Sequence, residues 1–257
     1  VIRVAVAGAL GRMGTEVIRA VTSAEDLDAV AGVDVREGEQ QGVPVTADLR
    51  QAIAQGRPEV MVDFTVADAA FTNAMTALEL GVRPVIGTTG MSPAQLEQIR
   101  RRAEETRTGA FVAPNFAIGA VLMGHFARIS SRYFESAEII ELHHDQKIDA
   151  PSGTAVKMAQ DMAAAHAREF ASNVPEKETL SGGRGAQWQG VRLHSVRLPG
   201  LVAHHEVIFG AQGQTLTIRH DSTDRTSFMP GVLIAVREVV RLDRLVIGLD
   251  NLLGLST

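Results

Sequence analysis

Near the start of the sequence a short apolar run, Val4 to Ala7, passes directly into Gly8-Ala9-Leu10-Gly11-Arg12-Met13-Gly14 and then into a helical pattern from Thr15 to Val21. A strand that ends in glycines and reopens as a helix restricts the possible folds more than any other segment of this chain. Glycines let the backbone approach a pyrophosphate, whose charge the free N–H groups and the helix dipole stabilise, and the last glycine permits close helix packing. The spacing is G-x-x-G-x-x-G rather than the stricter G-x-G-x-x-G, so a purely structural tight turn stays open on this segment alone. A second strand, Ala29 to Val33, leads into Asp34, about where a dinucleotide fold places an acid on the adenine-ribose hydroxyls. Arg36 follows and can accept the 2′-phosphate of a phosphorylated cofactor, which Asp34 would repel. The expected contacts at this end are Gly8, Ala9, Leu10, Gly11, Arg12, Met13, Asp34 and Arg36, with both NADH and NADPH as cofactors.

Further apolar runs at Val60 to Phe64, Pro84 to Ile86 and Ala110 to Ala113 alternate with amphipathic segments. One of these opens Ser92-Pro93-Ala94-Gln95, a capping-box signature with proline at the first helical position. Strict alternation predicts a Rossmann-type, doubly wound parallel sheet. Two more strand ends, Gly87, Thr88 and Thr89, and Ala113, Pro114, Asn115 and Phe116, belong at the same crevice and are read as cofactor contacts, with ordinary turns as the alternative. After Asn115 the pattern changes: a helix over 117–134, a strand over 139–143, a helix opening near Ser152, then strands over 191–198, 201–209 and 214–220 with a hairpin turn at 210–213. This predicts a C-terminal α+β domain with a mixed or antiparallel sheet. Residues 171–190 form the longest candidate loop, while a helix over 228–242 and a strand over 246–249 are assigned back to the first domain. The expected division is a dinucleotide-binding domain of residues 1–115 and 224–257, and a substrate-binding and oligomerisation domain of residues 116–223.

With 257 residues, 45% of them apolar and 21% charged, the chain can bury a proper core. A net charge of −5 gives no overall basic footprint for nucleic acid or an anionic membrane, and Arg100-Arg101-Arg102 lies in a Glu-rich helical stretch that reads as a solvated face. The absence of cysteine excludes disulfides, thiolate metal sites and thiol nucleophiles, and is compatible with a reducing compartment. Neither a signal-peptide pattern nor a membrane-length apolar run is present, so a cytoplasmic location is expected.

The densest chemistry lies in Glu141-Leu142-His143-His144-Asp145-Gln146-Lys147-Ile148-Asp149-Ala150-Pro151-Ser152-Gly153-Thr154-Ala155. Two imidazoles and an ammonium precede a helix start, where Ser152, Gly153 and Thr154 offer N–H groups and hydroxyls to a carboxylate. A histidine can donate a proton near neutral pH. Zinc on the histidine pair is disfavoured by the nearby lysine and the lack of cysteine, so no metal is expected. A buried structural histidine with a surface lysine is the plain alternative.

The run E-x-H-H-x-x-K-x-D-x-P-S-G-T-A, together with the Arg12-Met13-Gly14 turn and the segments at 87–90 and 113–116, resembles the dihydrodipicolinate reductase family in order and over essentially the whole chain. The resemblance implies reduction of 4-hydroxy-tetrahydrodipicolinate with NADH or NADPH on the lysine and diaminopimelate pathway, in a homotetramer assembled through the C-terminal sheets. It implies His143 as the general acid or base, Lys147 as the donor that binds and polarises a small dicarboxylate, and His144, Gly153 and Thr154 as substrate contacts. Two rivals are another small dehydrogenase, which gives no reason for the 143–154 run, and a non-catalytic nucleotide sensor, which wants a basic face or DNA-binding helices.

Overall fold

The computed structural model describes residues 1–166, 168–171, 174 and 177–255. The chain forms two compact units, Val1–Ile118 with Arg225–Thr257, and Gly119–Asp224. In chain order the first unit contributes β1 (Ile2–Ala7), α1 (Arg12–Thr22), β2 (Leu27–Val33), β3 (Gly38–Gln40), β4 (Val43–Thr46), α2 (Leu49–Gly56), β5 (Val60–Asp63), α3 (Ala67–Glu79), β6 (Arg83–Ile86), α4 (Pro93–Thr106) and β7 (Ala110–Val112). α5 (Ile118–Ser130) opens the second unit, followed by β8 (Ser136–His143), α6 (Gly153–His166), β9 (Ala186–Trp188), β10 (Val191–Arg197), β11 (Ala203–Ala211) and β12 (Gln214–Ser222). The chain then returns to the first unit with a 3-10 helix (Arg225–Phe228), α7 (Met229–Val239), β13 (Leu245–Ile247) and α8 (Leu249–Leu252).

The first unit is an eight-stranded sheet in the order β13-β7-β6-β5-β1-β2-β4-β3. Every pairing is parallel except that of β3 with β4. Parallel strands covered on both faces need unbroken apolar runs, and Val4 through Ala7 are all completely buried. α2 lays Leu49 and Ala52 against Ala5, Ala31 and Met61, and Ile99 and Ala103 of α4 join Ile86 and Leu245 in a separate cluster. The Ser92 capping box is present: its hydroxyl accepts from the Gln95 N–H at 3.2 Å while its own N–H donates to Gln95 Oε1 at 2.8 Å. Arg100, Arg101 and Arg102 pair with Glu97 and Glu105 on the helix surface, as a solvated face requires. The hairpin of β3 and β4 was not anticipated, since its strands are short and partly polar; it turns through Gln41 and Gly42, both at positive φ.

The second unit is a five-stranded sheet in the order β12-β11-β8-β10-β9. β10 runs parallel to β8 and the remaining pairings are antiparallel, which makes the sheet mixed. Met123 and Ala127 of α5 and Ala155, Met158, Ala159 and Met162 of α6 pack on its inner face against Ile139, Leu193, Val207 and Phe209. The hairpin between β11 and β12 turns at Gln212 and Gly213, tighter than the four residues expected. β9 falls inside the expected loop 171–190, of which residues 172, 173, 175 and 176 lie outside the described residues. The terminal strand ends at Ile247, because Gly248 takes φ +93 and Leu249 begins a short helix.

Candidate active site

Strand register assembles the polar cluster of the second unit. Across β10, β8 and β11 the inner face carries an apolar row of Leu193, Ile139 and Val207, then Ser195, Glu141 and His205, then Arg197, His143 and Ala203. The sheet face is therefore apolar at one end and polar at the other, and α6 starts beside the polar end.

Glu141 is completely buried at the centre of these rows. Arg197 clamps it with two hydrogen bonds, Nη1 to Oε2 at 2.9 Å and Nη2 to Oε1 at 2.8 Å. His143 Nδ1 bonds Oε2, and the Ser152 N–H donates to Oε1 at 3.2 Å. Burial alone would push the Glu141 carboxyl up, but hydrogen bonds from His143, Arg197 and Ser195 prevail and hold it well below the usual carboxylate range. It is an ionised carboxylate with its acceptor sites filled.

His143, 7% exposed, lies edge-on to His205 with ring centroids 5.4 Å apart. Burial, reinforced by the neighbouring His143, pushes His205 down to about 4, so this imidazole is neutral at pH 7. Its Nε2 lies 3.3 Å from the Ser152 hydroxyl, and that oxygen accepts the Ala155 N–H at 3.2 Å. Both polar groups of Ser152, itself 2% exposed, are thus spent inside the protein, the N–H on Glu141 and the hydroxyl on capping α6. Ser152 is expected among the substrate contacts; in the structure its N–H and hydroxyl are engaged by Glu141, His205 and the Ala155 N–H.

Gly153 is exposed, its φ lies outside the left-handed region, and a Cβ built there would meet nothing within 4 Å. Neither backbone conformation nor packing demands a glycine at this position. Lys147, in the loop after β8, donates from Nζ to Asp149 Oδ1 at 2.7 Å. That ammonium first, and the Gly153 N–H among further contributors, lower the Asp149 carboxyl below its ordinary value. Asp149 thus rests on two of the groups expected to hold a substrate carboxylate. His144 is exposed at the start of the same loop. Among the described residues no group of three or more His, Asp or Glu side chains could hold a metal ion.

In the first unit the sheet order reverses at β1, which has β2 on one side and β5 on the other, and the glycine turn sits at its carboxyl end. Gly8 adopts φ +79, and a Cβ on Gly14 would fall 2.0 Å from the Gly8 carbonyl oxygen, so both glycines are required by the turn itself. The Gly8 and Ala9 N–H groups bond the Val33 carbonyl, the Gly11 N–H bonds the Gly8 carbonyl, and the Leu10 N–H donates to Asp34 Oδ2 at 2.9 Å. The first intrahelical bond of α1 is from Thr15 to Gly11. Helix geometry then leaves the N–H groups of Arg12 and Met13 facing out of the helix start, a cradle that suits a pyrophosphate. Arg36 is exposed beyond Asp34, and among the described residues no ion pair joins the two.

Thr88 is buried and its hydroxyl donates to Asp63 Oδ1 at 3.1 Å, while Thr89 is exposed beside it. Asp63, completely buried, also accepts from the Thr65 N–H and hydroxyl and from Asn73 Nδ2. Ala113 donates to the Ile86 carbonyl, Pro114 is exposed, and Asn115 Oδ1 accepts the Ala117 N–H at 2.9 Å. The Phe116 ring is buried against Phe64 and Phe111, so its side chain belongs to the core and only its backbone faces the strand ends.

Sequence reasoning did not single out Glu141, Arg197, His205, Asp149 or Asp63. Glu141 was within reach, since residues two apart on a strand share a face. The others depend on strand pairing or loop geometry.

Models of the dihydrodipicolinate reductase N-terminus and C-terminus match residues 2–116 and 119–253. A 4-hydroxy-tetrahydrodipicolinate reductase from Moorella thermoacetica is 55% identical over 262 residues, covering 98% of each chain. One from Listeria welshimeri is 50% identical over 98% of this chain and 99% of its own. Among solved structures, a dipicolinate-bound dihydrodipicolinate reductase from Paenisporosarcina sp. TG-14 superposes with a TM-score of 0.89 at 45% identity, covering 97% of this chain and 98% of that one. A myo-inositol 2-dehydrogenase from Lactobacillus plantarum, at 10% identity and a TM-score of 0.64 over 99% of this chain and 94% of its own, shares the fold alone.

Proposed function

The chain belongs to the dihydrodipicolinate reductase family, and from that premise we propose that it reduces 4-hydroxy-tetrahydrodipicolinate to tetrahydrodipicolinate in lysine and diaminopimelate biosynthesis. The observation that carries the reading is the buried His143 at the polar end of the sheet face, in the same unit as the outward donors Lys147 and Gly153. A bound nicotinamide cofactor supplies the hydride. Arg12 and Met13 at the start of α1 would hold its pyrophosphate, Asp34 its adenine ribose, and Thr88, Thr89 and the backbone of 113–116 its other end. Both NADH and NADPH serve, since Arg36 offsets the repulsion between Asp34 and a 2′-phosphate.

The substrate is a dianion. Lys147 and the N–H groups of Gly153 and Thr154 take one carboxylate, with His144 as a further contact. Because Asp149 rests on Lys147 and Gly153 beforehand, binding exchanges one carboxylate for another instead of neutralising a bare cation. The 4-hydroxyl of the substrate leaves as water to give a conjugated imine; hydride addition to that imine leaves an electron pair that ends on carbon, and His143 supplies the proton that completes it. The enzyme is cytoplasmic and homotetrameric, assembled on the second unit, whose nine-residue edge strand β12 is largely exposed and carries Leu216 outward.

The test is consumption of NADH and NADPH by the purified chain supplied with the condensation product of pyruvate and aspartate semialdehyde. His143→Ala and Lys147→Ala should each lower turnover by roughly 10²- to 10⁴-fold with cofactor affinity unchanged. Near-parent turnover in either variant would remove that residue from the mechanism.

A further inference from the structure

We propose that Glu141 is the positioning residue of His143: its carboxylate holds the imidazole by Nδ1 so that Nε2 is offered to the substrate, while Arg197 tempers its charge. The inference rests on the reading of His143 as proton donor. An ionised carboxylate only accepts hydrogen bonds, so the ring nitrogen that touches it must carry the proton. The neutral imidazole is thereby fixed in one tautomer, and the nitrogen that gains and loses the catalytic proton is the other one. Glu141 and His143 stand two residues apart on one strand face, so the contact is built into β8 and does not depend on a loop.

The balance of charge around the ring explains Arg197. A lone buried carboxylate would favour the imidazolium so strongly that the ring would release its proton poorly. Arg197, its side chain 18% exposed, places a guanidinium nitrogen on each Glu141 oxygen, and its positive charge offsets part of the carboxylate's pull on the imidazole. From the other elements, β11 presents His205 and β10 presents Ser195, both uncharged at pH 7, and the turn before α6 presents Ser152. The loop after β8 presents the Lys147–Asp149 pair, and His204 and His220 lie further out on β11 and β12. Arg197 also donates to the Asp149 carbonyl at 2.6 Å, so one guanidinium ties His143's partner to the loop that carries Lys147. The competing view is that Glu141 and Arg197 are only a structural clamp between β8 and β10.

Titration of the full-length enzyme labelled with 15N-histidine distinguishes the two, with the His143 signals assigned by their loss in His143→Ala. In the parent, neutral His143 should carry its proton on Nδ1. Glu141→Gln should move its midpoint down by about one pH unit or more, and Arg197→Gln should move it up, since removal of opposite charges acts in opposite directions. Turnover of Glu141→Gln should fall on the order of 10²-fold with NADH affinity unchanged, and Glu141→Asp should recover part of it. A parent tautomer protonated on Nε2, an unmoved midpoint in folded Glu141→Gln, or shifts of the same sign in both variants would overturn the proposal. If Glu141→Gln does not fold, Arg197→Gln decides alone, an upward shift supporting and any other result overturning it. An inactive His143→Ala beside an unmoved midpoint would sink this inference only, whereas an active His143→Ala would sink the proton-donor reading beneath it.

Discussion

Acidification should weaken the second unit through one identifiable side chain, His205. Its imidazole is 4% exposed and held down to about 4, against an ordinary 6.5 in the unfolded chain. Between those two values the unfolded chain binds a proton that the folded one refuses, so stability is fully present above 6.5 and is lost as pH falls toward 4. Linkage gives a loss of about 2 kcal/mol between about pH 7.5 and about pH 5, approaching about 3 kcal/mol once both states are protonated. The mechanism is local: protonation places an uncompensated charge in a buried site and removes the acceptor that receives the Ser152 hydroxyl. The assay is urea unfolding followed by fluorescence of Trp188, the single tryptophan of the sequence, which lies on β9 of the same sheet. His205→Gln should lack about 2 kcal/mol of the parent's pH dependence, whatever its stability at neutral pH. Titration of His220, which burial also lowers, and of the carboxylates cancels in that comparison. If parent and variant lose the same stability over this range, His205 is not the responsible group.

Three further outcomes are expected. Asp34→Asn keeps an acceptor for the Leu10 N–H but removes the charge facing a 2′-phosphate, so NADPH affinity should rise relative to NADH in direct binding measurements; an unchanged ratio would remove Asp34 from the adenine-ribose position. Gly153→Ala should fold normally, because its Cβ meets open space, yet raise KM for the dicarboxylate roughly 10-fold or more by crowding a ligand held on N–H groups; unchanged steady-state kinetics would place the substrate elsewhere. Sedimentation at micromolar concentration should give a tetramer, and a fully active monomer would refute assembly on the second unit.

How far the site can be read from the sequence follows from which distances are local. The glycine turn is contained in one strand-turn-helix connection, and Gly14 is required by a contact within seven residues, its approach to the Gly8 carbonyl. The same holds for the 141–155 run, where alternation along β8 sets Glu141 and His143 on one face and the cap at Ser152 starts α6. Within that run the inward bonds of Ser152 were not legible, because a serine at a helix start reads the same whether its hydroxyl turns outward to a ligand or inward to a histidine. Arg197 and His205 were out of reach. Each joins the site through a pairing of more than fifty residues' separation, and the sheet order β11-β8-β10 is not the sequence order.

The polar residues around His143 fall into an outer and an inner set by burial. His144, Gly153 and Asp149 are exposed and Lys147 only partly covered, and these are the groups for which a substrate carboxylate can compete. Glu141, His205 and Ser152 are buried and bonded to one another or to Arg197, so removing any one leaves a buried polar partner unsatisfied. Mutations in the outer set should therefore act on substrate binding with little effect on folding. Mutations in the inner set combine a stability cost with a catalytic one, and only a measurement on the His143 ring itself, such as its tautomer or titration, separates the two.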